Sequence, residues 1–278
     1  MEVLSDILQG LKTTGSVYFC DVLVPPWELP YKNEGRAMFH MVRSGRCQFK
    51  TDDQKYTLET GDFMFVAPGV DHQLLSNAPD DPQSLLLCGY CQFDALEHDV
   101  LLRALPRYVL LHKEDMEQWP WLTRTLEHLS AEYMSGAPGS DLTVNKLTEV
   151  LLVQLLRADF GRRSGIRIVA ALHDKRIARA LTAIHQNPGR HWTIDYAAEE
   201  ASMSRSGFAR KFKALLGMSF FDYLTRLRMR DARDLLMTTA LQVPMIGEKV
   251  GYQSDMSFVK VFKKLHGETP RSYRLRQS

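Results

Sequence analysis

Two sets of side chains in this sequence are equipped for chemistry, and they lie in opposite halves of the chain. In the first hundred residues the capable groups are Cys20, Cys88, His40 and His72. Thiols oxidise or bind soft metals, and imidazoles donate, accept or ligate. Cys47 and Cys91 complete the cysteines and are expected to be silent. In a reducing compartment free thiols are the default, and the plainer reading makes the cysteines small core hydrophobes and the histidines hydrogen-bonded strand residues. The second set is Ser206, Ala209, Arg210 and Lys213, followed fifty residues later by Met256, Val259, Lys260 and Lys263, with Ser204, Arg205 and Asp255 beside them. Small, polar and basic groups on a short helix suit base edges and phosphates in a major groove.

The charge distribution separates the same two halves. Residues 174–278 carry nineteen Lys/Arg against ten Asp/Glu, and residues 1–173 carry sixteen against twenty-three. A net charge of +2 therefore conceals a basic part suited to a polyanion and an acidic part that is not. The opening MEVLSDILQGLK has acids at Glu2 and Asp6 and no basic leader pattern, which argues against a secretory signal. The longest apolar stretch, Val150 to Leu156, is interrupted by Gln154 and is too short for a bilayer. A cytoplasmic protein without a membrane partner is expected.

These side chains need elements to position them. Residues 16–93 read as short strands: Val17–Cys20, Ala37–Val42, Cys47–Lys50, Phe63–Val66 and Leu85–Cys88, separated by turns such as Arg43-Ser44-Gly45-Arg46 and Glu59-Thr60-Gly61-Asp62. So many short strands predict a small all-β barrel or sandwich. From Trp121 the period becomes helical. Leu122, Leu126, Leu129 and Tyr133 form one stripe and Leu147, Leu151 and Leu155 another, with the breaker Ser135-Gly136-Ala137-Pro138-Gly139 between them. Such stripes pack on the parent domain or form a dimer seam. The expected division is a β-rich domain over 1–160, a linker over 161–173 and an all-α domain over 174–278.

The all-α part contains an internal repeat. Ser206 to Gly217 lies fifty residues before Met256 to Gly267, with Phe208/Phe258, Phe212/Phe262, Lys213/Lys263, Leu215/Leu265 and Gly217/Gly267 coinciding. Tyr223 and Tyr273 extend the match, and upstream the offset becomes 49, as a one-residue difference in a turn would produce. Each copy reads as two helices at a steep angle. Thr193 caps the first helix of copy one, Pro244 sits in the first turn of its counterpart, and Ala198 or Gly247 lets the second helix cross closely. Phe208, Phe212 and Leu215, or Phe258, Phe262 and Leu265, give the second helix a core stripe. A helix over 222–236, with Leu224, Leu227, Ala232 and Leu235 inward, fixes the separation of the two copies.

Residues 174–276 so read resemble the DNA-binding domain of the AraC/XylS family, with one departure at Ala197, where a larger aliphatic is usual. The resemblance implies two helix-turn-helix units in successive major grooves of double-stranded promoter DNA. Base contacts would come from Ser206, Ala209 and Arg210, then from Met256, Val259 and Lys260. It also implies RNA polymerase as a partner of any activator, and a homodimer. In the first half, Gly61-Asp62 with Pro68-Gly69-Val70-Asp71-His72 and Asn77 resembles the second motif of cupin barrels, and Phe39 to Gly45 the end of the first. Tyr31 to Met38 holds no histidine, and Met38 stands about where metal-binding cupins place a glutamate. No cofactor is therefore expected, and a cupin oxygenase or isomerase is disfavoured.

This half is also similar to the sensor arm of reactive-chlorine-responsive AraC relatives, whose sensing cysteines fall at Cys20 and Cys88. That resemblance implies oxidation of Cys20 and Cys88 to a disulfide, with His40 or His72 as imidazolium lowering a thiol pKa. Two alternatives stay open: Cys20, Cys88, His40 and His72 binding a soft metal, or a small apolar molecule in the barrel mouth. A cupin metalloenzyme with a DNA-binding tail is the reading from a different class.

Overall fold

After a first helix, α1 (Val3–Leu11), the chain runs through β1 (Thr14–Leu23), β2 (Trp27–Tyr31), β3 (Ala37–Ser44), β4 (Arg46–Lys50), β5 (Lys55–Glu59), β6 (Phe63–Val66), β7 (His72–Ser76), β8 (Ser84–Gln92) and β9 (Tyr108–Leu111). The computed structural model describes residues 3–11, 13–32, 35–93, 105–157 and 167–277. The strands form two antiparallel sheets, ordered β1-β8-β3-β6-β9 and β2-β7-β4-β5. Alternation decides what each sheet buries. Val42, Met64, Val66, Leu86 and Cys88 from the first meet Cys47, Phe49, Leu58 and Leu74 from the second in one apolar interior.

The other face of the five-stranded sheet is covered by helices. α2 (Lys113–Glu117) leads into α3 (Pro120–Ser135) and α4 (Ser140–Arg157), and both longer helices pack on β1. Leu122, Leu126 and Leu129 are buried as their spacing predicts, whereas Tyr133 is exposed; the core face of α4 is Val144, Thr148, Leu151, Leu152, Leu155 and Leu156. Gly89 is required on this face, because a Cβ there would stand 2.1 Å from Cζ of Phe39. Buried Asp62 locks the β5–β6 turn, accepting from the backbone N–H of Glu59 at 2.9 Å and of Lys113 at 3.1 Å.

The second unit is helical: α5 (Arg167–His173), α6 (Lys175–Gln186), α7 (Ile194–Glu200), α8 (Arg205–Leu216), α9 (Phe220–Thr238), α10 (Val243–Lys249), α11 (Asp255–His266) and α12 (Pro270–Gln277). Two expectations are corrected here. Residues 167–173, read as linker, form α5 and pack on α6 and α8; Ile168 and Ala171 supply its buried face. The rest of the expected linker, 161–166, lies outside the described residues. Residues 3–11, assigned by sequence to the β-rich domain, belong to the helical unit, where α1 packs on α6.

A polar bridge holds α1 there. Asp6 accepts from His185 Nδ1 at 2.5 Å and from Arg230 Nη2 at 2.9 Å, while Tyr223 donates to His185 Nε2 at 2.6 Å. Burial disfavours the Asp6 carboxylate, yet His185 and Arg230 outweigh it and hold its pKa at about 2.

Candidate functional site: nucleic-acid interface and barrel interior

Both repeat copies fold to the same local geometry. The turn after α7 bonds Met203 N to Ala198 O and the turn after α10 bonds Tyr252 N to Gly247 O, each at 2.9 Å. Each turn needs one residue in the left-handed region. Gly251 supplies it in copy two at φ 91°, and Ser202 occupies it in copy one at φ 50°. Gln253 is the added residue that shifts the offset from 49 to 50. Gly247 is demanded by packing, since a Cβ there would come within 3.0 Å of the Phe258 ring; Ala198 is its buried counterpart.

Both second helices are capped at each end. Ser204 accepts from Gly207 N and Ser254 from Ser257 N, while Gly217 and Gly267 close α8 and α11 in the left-handed region. Phe208 and Phe212, and Phe258 and Phe262, are fully buried as expected. The third member of the first stripe is corrected by one position: Leu216 is buried and Leu215 only half-buried. At about 100° per residue, 216 stands about 80° from 208 and 215 only about 20° from it, so packing at the helix end, and not spacing, decides which leucine is buried. Between the copies, α9 presents Tyr223, Leu224, Leu227, Ala232 and Leu236 inward, with Leu235 half-buried.

The structure leaves the expected reading residues outward. Ser204, Arg205, Ser206, Arg210 and Lys213 are exposed on α8 and its cap, and Asp255, Met256, Lys260 and Lys263 on α11; Ala209 and Val259 are half-buried. Arg205 pairs with Asp195 at 3.5 Å, and Lys211 with Asp174 at 2.5 Å. Among the described residues no ion pair occupies Arg210, Lys213, Lys260 or Lys263. Positive charge thus stays available along both helices. Sequence reasoning missed Arg228, which fixes the loop after α6 by donating to Pro188 O and Arg190 O, both at 2.8 Å.

Inside the barrel, His40 on β3 and His72 on β7 meet with their Nε2 atoms 2.8 Å apart. His72 Nδ1 lies 3.1 Å from Val70 O, so it carries the proton, and the Nε2 of His72 accepts from the Nε2 of His40. This leaves His40 Nδ1 as an acceptor. It is buried without a hydrogen-bond partner among the described residues, as are the Tyr18 hydroxyl and Trp27 Nε1. Tyr31 and Phe49 stack on His72 at 5.0 and 5.4 Å. Burial holds the pKa of His40 well below its ordinary value, with His72 adding to the effect, and burial also lowers His72.

The four sensor candidates are not assembled as one group. His40 lies opposite Cys88 in the β3–β8 register, but Cys88 pairs with Phe19 on β1 while Cys20 pairs with Leu87. Opposed residues share a face and successive residues alternate, so Cys20 and Cys88 point to opposite faces of the sheet. Cys20 Sγ contacts Ser130 Oγ of α3 at 3.3 Å, and Arg43 donates to the same hydroxyl. All four thiols are free and buried. The expected activation is also reversed: burial pushes the Cys88 thiol far up and the Cys47 and Cys91 thiols up to about 12, and the neighbouring imidazoles are neutral. Among the described residues no three His, Cys, Asp or Glu side chains stand together as metal ligands. Two imidazoles without a third donor do not fit a cupin metal, and Cys20 cannot supply one from the far face of the sheet.

Comparison with known proteins matches both halves. A family model described as "Cupin" matches residues 2–161, and one described as "Helix-turn-helix domain" matches 197–276. The chain is 30% identical to an uncharacterized HTH-type transcriptional regulator of Haemophilus influenzae, over 89% of this chain and 90% of that one. It is 26% identical to the RCS-specific HTH-type transcriptional activator RclR of Escherichia coli, over 99% and 98%. Among solved structures, the C-terminal domain of AraT, a response regulator from Geobacillus stearothermophilus, is 34% identical over 37% of this chain and 85% of that one, with a TM-score of 0.36. No described helix is long and apolar enough to cross a membrane.

Proposed function

The chain belongs to the AraC family of DNA-binding transcriptional regulators, with a cupin domain ahead of its helix-turn-helix units, and we propose that it binds asymmetric promoter sites in response to a ligand held in the barrel. The observation that carries the DNA reading is the pair of doubly capped helices α8 and α11, each exposing unpaired basic side chains above a buried phenylalanine core. Two non-identical reading faces call for two contacted segments roughly 10 bp apart. Footprinting with the full chain tests this, and a single contacted segment refutes it.

Arg210 and Lys213 divide the work on α8. Arg210, midway along the helix, is assigned to read a guanine, and Lys213, about one turn later, to meet phosphate. Arg210→Ala is expected to cost roughly 1–3 kcal/mol at the preferred site and to relax its sequence preference. Lys213→Ala is expected to weaken every sequence alike and to flatten the salt dependence. Equal losses on preferred and random DNA for Arg210→Ala would assign that residue to the backbone.

For the signal, the barrel interior supports a small molecule with both donors and acceptors. The orphaned acceptor at His40 Nδ1 and the orphaned donors at Tyr18 and Trp27 are groups whose burial is costly until a partner meets them. The oxidant reading keeps the support of the RclR likeness, but a direct Cys20–Cys88 bond requires one side chain to cross the sheet. A reporter assay separates the two. Cys20→Ser and Cys88→Ser are expected to leave signalling intact, and His40→Phe to abolish it; loss of response to hypochlorous acid in both serine variants would restore the thiol mechanism. A homodimer, built on the outer faces of α3 and α4 where Trp121 and Leu142 are exposed, completes the reading and is checked by sedimentation.

A further inference from the structure

The two reading helices differ in chemistry at two positions that face outward in both copies. The fifty-residue offset places Met256 where α8 has Ser206, and Val259 where it has Ala209. Met256 is 83% exposed, more than any other large apolar side chain among the described residues. It lies in the first turn of α11, on the side away from buried Phe258 and Phe262, with half-buried Val259 and the exposed Lys260 and Lys263 following it along the helix.

We infer that α11 reads thymine methyl groups through Met256 and Val259. This rests on the reading of α11 as a major-groove helix. The edge of a base pair in that groove offers hydrogen-bond donors, acceptors and one apolar feature, the C5-methyl of thymine. A valine side chain has no polar atom and a thioether is only a weak acceptor, so neither gains from the polar groups. Both gain from the methyl. Lys260 and Lys263 supply the complementary charge that holds this face against a polyanion, while the unbranched methionine adapts to the exact depth of the groove. Ser206 and Arg210 give α8 a hydrogen-bonding face instead, so the bipartite site acquires a direction: a segment read by hydrogen bonds and a segment read by methyls.

The test uses the full chain. A preferred duplex is selected from a random-sequence pool, footprinted, and resynthesised with dU in place of single dT residues, which removes one methyl and leaves the pairing edges intact. In the segment assigned to α11, identified by the footprint change in Lys260→Ala, each contacted dT→dU change is expected to weaken binding about fourfold, the effect of exposing one methyl-sized group. In the α8 segment, where Ala209 offers only one methyl group between Ser206 and Arg210, the change is expected to weaken binding less than under α11. Met256→Ser, a substitution at an exposed position that is confirmed folded by circular dichroism, is expected to lower that fourfold ratio toward one. Specific binding to both segments with no dU effect under α11, or an unchanged dU effect in Met256→Ser, overturns the methyl reading alone. Failure of the pool to yield any preferred duplex overturns the DNA-reading assignment and this inference with it.

Discussion

Phe262→Ala is expected to destabilise the helical unit by about 3–5 kcal/mol and to erase the α11 segment of the footprint before the α8 segment. Phe262 has no exposed surface. Its ring stacks on His266 at 4.1 Å and meets Phe258 at 5.9 Å and Tyr273 of α12 at 5.7 Å. Around these rings stand Met229, Ala232 and Leu236 of α9, Ile246 of α10 and Val250. The residue therefore joins α9, α11 and α12, and truncation leaves a cavity that several backbones would have to collapse to fill. With total stability commonly about 5–15 kcal/mol, a loss of this size leaves the second helix-turn-helix frayed in a measurable fraction of molecules.

The asymmetry between copies follows from where the second core ends. Phe212, the counterpart in copy one, packs on Phe208, Phe220 and Tyr223, and Tyr223 is tied through His185 to Asp6. Copy one thus retains contacts outside its own two helices when Phe262 is lost. Urea denaturation of the full chain and footprinting of both segments provide the measurement. Phe221, half exposed on α9, is the control, and Phe221→Ala is expected to fall within about 0.5 kcal/mol of the parent. A loss below about 1 kcal/mol for Phe262→Ala would place the core elsewhere.

The helical half was legible because its signals are local. Phenylalanines four apart, a small residue at the crossing and a glycine closing each second helix are spaced by the geometry of the helix itself, and the second copy repeats the pattern as an internal check. What the local pattern missed was long-range: Asp6 reaching His185 and Arg230, which moves the first helix into the helical unit. A lone aspartate in an amphipathic opening helix gives no hint of a partner some 180 positions away.

The barrel was legible as strands but not as faces. β2 was missed because Pro30 and Glu28 interrupt its pattern; it is an edge strand, where proline costs no sheet hydrogen bond on the open side. The meeting of His40 and His72 depends on two sheets sharing an interior, which no spacing reveals. That Cys20 and Cys88 face apart is hidden from the sequence for the same reason. Pairing of β1 with β8 brings Cys20 and Cys88 onto neighbouring rungs, but a one-residue offset in register sends their side chains to opposite faces. That offset is set by the bulge between Val17 and Phe19, which the sequence does not mark.

Lowering the pH from 7 to 5 is expected to destabilise the barrel by about 2–4 kcal/mol, and the sign follows from the neutral state of its two histidines. Burial, with the neighbouring His72, holds the His40 pKa well below 6.5; burial also lowers that of His72, although the Val70 carbonyl and Asp71 act in the opposite direction. Below pH 6.5 the unfolded chain takes up protons that the folded barrel refuses. Stability is therefore complete above the unfolded value and is lost as pH falls from 6.5 toward the folded values. Each group contributes at most about 1.4 kcal/mol per pH unit in that window. Over the interval from pH 7 to 5 each group contributes at most about 2 kcal/mol, and His72, whose lowering is opposed by Val70 and Asp71, contributes less than His40. His266 in the helical unit, held at about 4 by burial and by Arg233, titrates in the same direction, so denaturation of the whole chain would mix the two effects. Hydrogen exchange resolved to β3 and β7 keeps them apart. Protection there, corrected for the intrinsic rate, is expected to fall between pH 7 and 5, and His40→Gln is expected to remove more than half of the pH dependence. Flat protection across that interval would mean that the two imidazoles take up protons as readily in the folded barrel as in the unfolded chain, which would overturn their neutral assignment.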